Sequence, residues 1–189
     1  MVPGTVERLS AAGVRPIVFS PEYLGESPGH PWNEDTACGF VIVGGPTPVA
    51  ELVAAAYRTV AGPGVRFYFT SARTAELCKY MENSFLAMKV AFVNQFYDVA
   101  QNLGVDFDAL RTVWLADPRI GASHTQVTRE RGFRGRCLPK DISALVTAMA
   151  PLGGAPLLEQ VMAYNLEVCE RSDRPREEAA VLVGGHREP

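Results

Sequence analysis

The 189 residues contain no Gly-x-Gly-x-x-Gly and no Gly-x-x-x-x-Gly-Lys-Ser/Thr. Backbone N–H groups converging at such a glycine-rich turn are what hold a dinucleotide or a nucleoside triphosphate by its phosphates, so a self-sufficient site for either is not expected. The glycine pairs that do occur, Gly44-Gly45 and Gly153-Gly154, read as turns. Cys38, Cys78, Cys137 and Cys169 form no Cys-x-x-Cys pair and His30, His124 and His186 stand far apart, which leaves no zinc spacing and no metal expected. No apolar run reaches the ~18 residues of a membrane span, and Met1-Val2-Pro3-Gly4-Thr5 lacks the charged and apolar regions of a secretion signal. A cytoplasmic chain with free thiols and no membrane partner is the expectation. Neither sign of charge dominates: 18 Lys and Arg against 21 Asp and Glu give a net charge of −3, so no nucleic-acid partner is expected. With 47% apolar and 21% charged residues, what remains is an ordinary globular composition. The length suits one domain, or one domain with a fragment of another.

Residues 1–70 are punctuated by Pro and Gly, and three short apolar runs read as strands: Ile17–Phe19, Phe40–Val43 and Val65–Phe69. Between the last two, Val49–Val60 is apolar at helical spacing and closed by Gly62-Pro63-Gly64. Strand, helix, strand is the pattern of a parallel α/β sheet. Both faces of such a sheet need cover, so this segment reads as part of a domain. From Ser71 to Leu103 the pattern predicts one helix on the order of 50 Å long. Along it Leu77, Tyr80, Met81, Phe85, Met88, Phe92, Phe96, Val99 and Leu103 recur at steps of three and four. So wide an apolar stripe predicts a partner, and a homodimer built on residues 71–103 is the expectation. Gly104 suits a helix end, Asp106 an N-cap for a helix through Leu115, and Asp117–Gly121 a turn. Two further helices are expected over Lys140–Ala150 and Pro156–Arg171, followed by a charged tail.

Gly132-Phe133-Arg134-Gly135-Arg136-Cys137-Leu138-Pro139-Lys140-Asp141 puts a cysteine just before a helix start, flanked by Arg136 and Lys140. The helix dipole and both cations favour thiolate, which makes Cys137 a candidate nucleophile, while a small packing residue is the alternative. Lys79 and Asn83, four apart on the long helix, offer a cation and an amide to one oxyanion, or else belong to a solvated face. Glu22 and Glu26 follow the Ile17–Phe19 run at a strand end, where α/β proteins put their sites; by spacing alone they are two loop carboxylates.

Four motifs in order resemble the UDP-glucose/GDP-mannose dehydrogenase family. They are Ser20-Pro21-Glu22-Tyr23-Leu24-x-Glu26, Thr74-Ala75-Glu76-Leu77-x-Lys79-Tyr80-x-Glu82-Asn83-Ser84-Phe85-Leu86-Ala87, Asp117-Pro118-Arg119-Ile120-Gly121 and Gly135-x-Cys137-Leu138-Pro139-Lys140-Asp141. The resemblance covers about residues 1–170. It implies NAD-dependent, two-step oxidation of a nucleotide sugar to the uronate through a cysteine thioester. Cys137 is then the nucleophile, Lys79 and Asn83 hold the oxyanion, and Asp141 and Glu22 activate water. Glu26 matches a second active-site glutamate, and Arg119 an arginine that reaches the neighbouring subunit's substrate. Tyr23, Leu24 and Lys140, within the same motifs, are placed with the nucleotide sugar. The implied fold is α/β: a partial parallel sheet, the remainder of a Rossmann-like NAD-binding domain, over residues 1–70. An all-helical dimerisation domain with one long central helix follows over 71–171, and a tail over 172–189.

The resemblance implies a glycine-rich NAD loop and a C-terminal nucleotide-binding domain in family members, and neither is expected in this chain. NAD is therefore implied as the family's cofactor but not expected to bind this chain alone, and a truncated chain, inactive unless a separate chain supplies the missing domains, is expected. Gly25 stands where Arg or Ala is common, Arg134 replaces a loop glycine, and His124 replaces an apolar residue. Two other readings stay open: a non-enzymatic dimerisation module or remnant of the family, and a cysteine-dependent hydrolase using Cys137, Glu22 and Asp141.

Overall fold

The computed structural model describes residues 2–23, 39–62 and 64–174. Its elements in chain order are α1 (Thr5–Ala11), β1 (Phe40–Gly44), α2 (Thr47–Ala61), β2 (Arg66–Thr70), α3 (Ala72–Leu103), α4 (Phe107–Trp114), α5 (Cys137–Met149) and α6 (Pro156–Asp173), with a 3-10 turn at Ala150–Leu152 between the last two. They fall into two compact units, Met1–Glu82 and Asn83–Pro189.

In the first unit β1 and β2 pair in parallel, from Phe40 opposite Arg66 to Gly44 opposite Thr70. The βαβ pattern read from the sequence is thus formed. Prolines suit the opening turn of α2, where a missing N–H leaves nothing unsatisfied, and Gly62, at φ 79°, follows its last residue. Ala50 and Ala54 are buried on α2, where the absence of bulk lets helix and sheet approach closely. The expected strand at Ile17–Phe19 is reduced to one antiparallel bridge, with Phe19 N donating to Gly44 O at 2.8 Å and Gly44 N to Phe19 O at 2.7 Å. Pro16 and Pro21 bracket the run, and neither has an N–H to extend a ladder.

Helix α1 is not signalled by periodicity, because seven residues are too few to show it. A carboxylate holds it in place. Glu76 is 1% exposed and accepts from the backbone N–H groups of Gly4 and, at 2.9 Å, Val6. A negative group at orphan N–H donors satisfies both hydrogen bonding and the helix dipole. Arg73, one turn earlier on α3, pairs with Glu7. The first turns of α3 are thereby tied to α1, and the division between the units falls inside α3 rather than at its start.

The second unit packs α5 and α6 on the remainder of α3. Its core is Ala87, Ala91, Phe133, Ile142 and Val161, with Leu138, Val146, Leu158 and Met162 against them; Val93, Ala100 and Phe107 form a second cluster with Tyr97 and Trp114. Gly104, at φ 67°, ends α3, with Val105 N donating back to Ala100 O at 2.8 Å. Asp106 caps α4, its side chain accepting from Asp108 N and Ala109 N. Helix α5 starts at Cys137, three residues before the expected Lys140, because Pro139 is tolerated in a first turn. Helix α6 continues to Asp173, two residues into the expected tail. Of the α3 stripe, Tyr80 is buried and Met88 half-buried, while Leu77, Met81, Phe85, Phe92, Phe96, Val99 and Leu103 are exposed.

Removing the Glu76 carboxylate leaves two buried N–H donors without a partner, at about 1–3 kcal/mol each. Glu76→Ala is expected to lower stability by about 2–4 kcal/mol, read as a fall in the urea midpoint at an unchanged slope. An unchanged midpoint would contradict the anchoring role.

Candidate active site

Cys137 is the first residue of α5 and is exposed. Asp141 lies one turn further along the same helix, and side chains four apart share a face. Its carboxylate accepts from Asn83 Nδ2 at 2.6 Å and pairs with Lys140 Nζ at 3.2 Å. Asn83 is 3% exposed, so the amide that steers Asp141 is itself fixed by its surroundings. Cys137, Asn83, Lys140 and Asp141 thus come together at one end of α5: a solvent-accessible thiol, with a carboxylate one turn away held by an amide and a cation. Chemically this supports thiolate attack on an electrophilic carbon followed by carboxylate-assisted attack of water.

Arg119 is not drawn into that cluster. Its side chain is exposed and engaged by Asp117, whose Oδ1 accepts from Arg119 N and Nε at 3.0 Å each. These bonds hold the Asp117 carboxyl below the usual carboxylate range. The turn is tied down by Lys89, which donates from Nζ to Gly121 O at 2.9 Å; burial on the α3 surface lowers the Lys89 pKa. Arg134, which replaces a loop glycine, is occupied at the end of α6. Its Nη2 donates to Asp173 Oδ1 at 2.9 Å and to the Glu130 and Cys169 carbonyls at 3.1 and 3.2 Å.

In the first unit Lys79 places its ammonium 4.7 Å from the centroid of the Tyr23 ring. Tyr23 is buried and packs on Phe40 with ring centroids 4.9 Å apart, and Glu22 beside it is exposed. The cation is held by a π face, a contact that fixes a lysine without neutralising it. Leu24, Gly25, Glu26 and Cys38 lie outside the described residues.

The glycines do not fit a dinucleotide. Gly44 and Gly45 sit where β1 turns into α2, the place for a pyrophosphate cradle, and the chain packs closely against both. A Cβ on Gly44 would lie 2.5 Å from Ala75 Cβ and 2.8 Å from Ser71 O, and one on Gly45 would lie 2.7 Å from Val18 Cγ1. Their N–H groups are also engaged by the chain itself, Gly44 N donating to Phe19 O at 2.7 Å and Gly45 N to Thr70 O at 2.9 Å. Among the described residues no cluster of His, Cys, Asp and Glu is arranged for a metal, and no helix is long and apolar enough to cross a membrane.

Sequence reasoning passed over three side chains that hold the loops: Lys89, Asn94 and Asn165. Asn94 and Asn165 are buried with amides bonded to the backbone before Cys137. Their signal is a polar residue where the helical period calls for an apolar one, as in Phe92-Val93-Asn94 and Tyr164-Asn165-Leu166.

The central-domain model of the UDP-glucose/GDP-mannose dehydrogenase family matches residues 73–167. The chain is 35% identical to a UDP-glucose 6-dehydrogenase of Rickettsia typhi over 130 residues, 68% of this chain and 29% of that protein. Its identity to one of Rhizobium meliloti is 32% over 152 residues, 79% and 34% of the two. It therefore spans about a third or less of the length of these relatives. Among solved structures it is similar to a UDP-glucose dehydrogenase from Pyrobaculum islandicum, with a TM-score of 0.73 and 27% identity over 90% of this chain and 39% of the other. A UDP-D-ManNAc dehydrogenase from Pyrococcus horikoshii gives 0.75 and 28%, over 97% and 42%.

Cys137 is exposed at a helix N-terminus between Arg136 and Lys140, whereas Cys78 and Cys169 are half-buried. Limited iodoacetamide treatment at neutral pH, followed by peptide mapping, is expected to label Cys137 first; preferential labelling of Cys38, Cys78 or Cys169 would sink its assignment as the reactive thiol.

Proposed function

From the premise that this chain belongs to the UDP-glucose/GDP-mannose dehydrogenase family, we propose that it carries the covalent half of nucleotide-sugar 6-dehydrogenation, the oxidation of a sugar 6-hydroxyl to a carboxylate. The observation that supports this most is the Asn83–Asp141 bond one helical turn beyond an exposed Cys137. In this reading the Cys137 thiolate adds to the C6 aldehyde, forming a C–S bond and an alkoxide. Asn83 donates to that oxygen, and Lys79 takes the family's role of cation toward it. At the thioester stage Asp141 accepts a proton from the attacking water. The C–S bond then breaks, Cys137 leaves as thiolate, and the carboxylate product is released. Glu22 takes the second carboxylate role, while Tyr23, Leu24, Glu26, Arg119 and Lys140 take those of nucleotide-sugar contacts.

The oxidation between these steps uses NAD in this family. With the Gly44 and Gly45 N–H groups bonded to Phe19 O and Thr70 O, no part of hydride transfer is assigned to residues of this chain, and the isolated chain is proposed to be inactive on a nucleotide-sugar alcohol. Residues 1–70 are proposed as the C-terminal part of a Rossmann-like NAD-binding domain, 71–171 as a helical dimerisation domain and 172–189 as a tail. The exposed stripe Phe85, Phe92, Phe96, Val99 and Leu103 on α3 supports a homodimer, since apolar area of that extent marks an interface.

Calorimetric titration of the isolated chain with NAD is expected to give no binding heat, and tight binding would overturn the division of roles. The 6-aldehyde of UDP-glucose is expected to protect Cys137 from alkylation, while UDP-glucose itself is not; equal protection by both, or by neither, would contradict a covalent role for the thiol. Light scattering at tens of micromolar is expected to return twice the chain mass, and a monomer would count against the dimer.

A further inference from the structure

The backbone leading into Cys137 is held by two buried amides that none of the proposed chemistry uses. Asn165 on α6 is 5% exposed. Its Oδ1 accepts from Phe133 N at 2.6 Å and its Nδ2 donates to Phe133 O at 3.0 Å, so one side chain pairs with both polar groups of one residue, as a neighbouring strand would. Asn94 on α3 is 1% exposed. Its Oδ1 accepts from Arg131 Nε at 2.6 Å and Gly132 N at 3.3 Å, while its Nδ2 donates to Val90 O at 2.9 Å.

The backbone between these amides is unusual. Arg131 and Gly132 both have positive φ, 55° and 62°, and a non-glycine residue takes that conformation only when its surroundings compel it. The compulsion is visible at Arg131, whose guanidinium bonds Asn94 and Asp98 and stacks 4.5 Å from the Tyr97 ring centroid. At Gly132 a Cβ would lie 2.7 Å from both Asn165 Oδ1 and Cys169 Sγ, so the loop rests directly on the amide. Apolar packing holds a segment to a surface but leaves it able to slide. Paired N–H and C=O bonds fix its register, which a nucleophile needs to meet its substrate within a few tenths of an ångström.

We propose that Asn165 and Asn94 are positioning residues that clamp Arg131–Phe133 from α6 and α3 and thereby set where Cys137 enters α5. The proposal rests on the reading of Cys137 as the nucleophile and adds to it the means by which the thiol is aimed.

The test compares the unmodified chain with Asn165→Leu, Asn165→Asp and Val168→Ala. Asn165→Asp keeps size and the bond from Phe133 N–H but loses the donor to Phe133 O; Val168→Ala opens a cavity in the same helix and leaves both amides in place. Each is read by the pH profile of Cys137 alkylation and by amide hydrogen exchange of residues 131–136. Asn165→Leu and Asn165→Asp are expected to speed that exchange by about tenfold or more and to move the Cys137 profile, while Val168→Ala, at a comparable loss of thermal stability, changes neither. Should Asn165→Leu not fold, Asn165→Asp carries the comparison. Parental exchange and profile in the Asn165 variants, or equal changes in Val168→Ala, would overturn the clamp. An ordinary thiol profile for Cys137 in the unmodified chain would instead count against the nucleophile reading, with the exchange comparison still deciding the clamp.

Discussion

Residues 115–136 carry no helix or strand, yet they must deliver a cysteine to a fixed point at the start of α5. Everything proposed for the second unit depends on how that segment is held. A stretch this long without regular structure has few backbone partners of its own, and every buried N–H and C=O in it needs one. Side chains supply them. Lys89 takes the Gly121 carbonyl, Arg111 the Thr125 carbonyl, Asn94 the Gly132 N–H, and Asn165 both polar groups of Phe133. Such bonds to backbone hold position more sharply than apolar contact, because they are directional.

Within this unit one stripe of α3 organises the rest. Asn83, Ala87, Ala91, Asn94 and Asp98 recur at steps of four, four, three and four, so they share a face. The alanines in the middle let Phe133, Ile142 and Val161 approach closely. The polar residues at its ends do different work: Asn83 bonds Asp141 on α5, and Asn94 and Asp98 bond Arg131 in the loop. One face of one helix therefore gauges the distance between the carboxylate and the loop that precedes the thiol. Asp98 also receives Arg171 of α6 at 3.1 Å, which ties the third helix to the same rule.

Much of this was legible in the sequence where elements are long or punctuated. The long helix, the βαβ unit, the Asp106 cap and the Gly104 stop all follow from period and turn chemistry. Cys137, Asn83 and Asp141 stood out by motif, and the fold brings them together. What was hidden is tertiary. The Ile17–Phe19 run has strand composition but two flanking prolines, and only the fold shows that it makes one bridge. Helix α1 is too short for a period and depends on Glu76, seventy residues away. Asn94 and Asn165 read as blemishes on apolar faces until the backbone they bond is in view.

The central claim is that a carboxylate held one turn beyond a reactive thiol turns over an acyl group carried on that thiol. It can be met without any cofactor by acylating Cys137 with an activated ester such as p-nitrophenyl acetate and following loss of the acyl group by mass spectrometry. Asp141→Asn keeps the size of the side chain but cannot accept a proton from water. It is predicted to acylate as the unmodified chain does and to deacylate at least about a hundredfold more slowly, the scale of a lost general base. Equal deacylation rates in the two proteins would contradict the account.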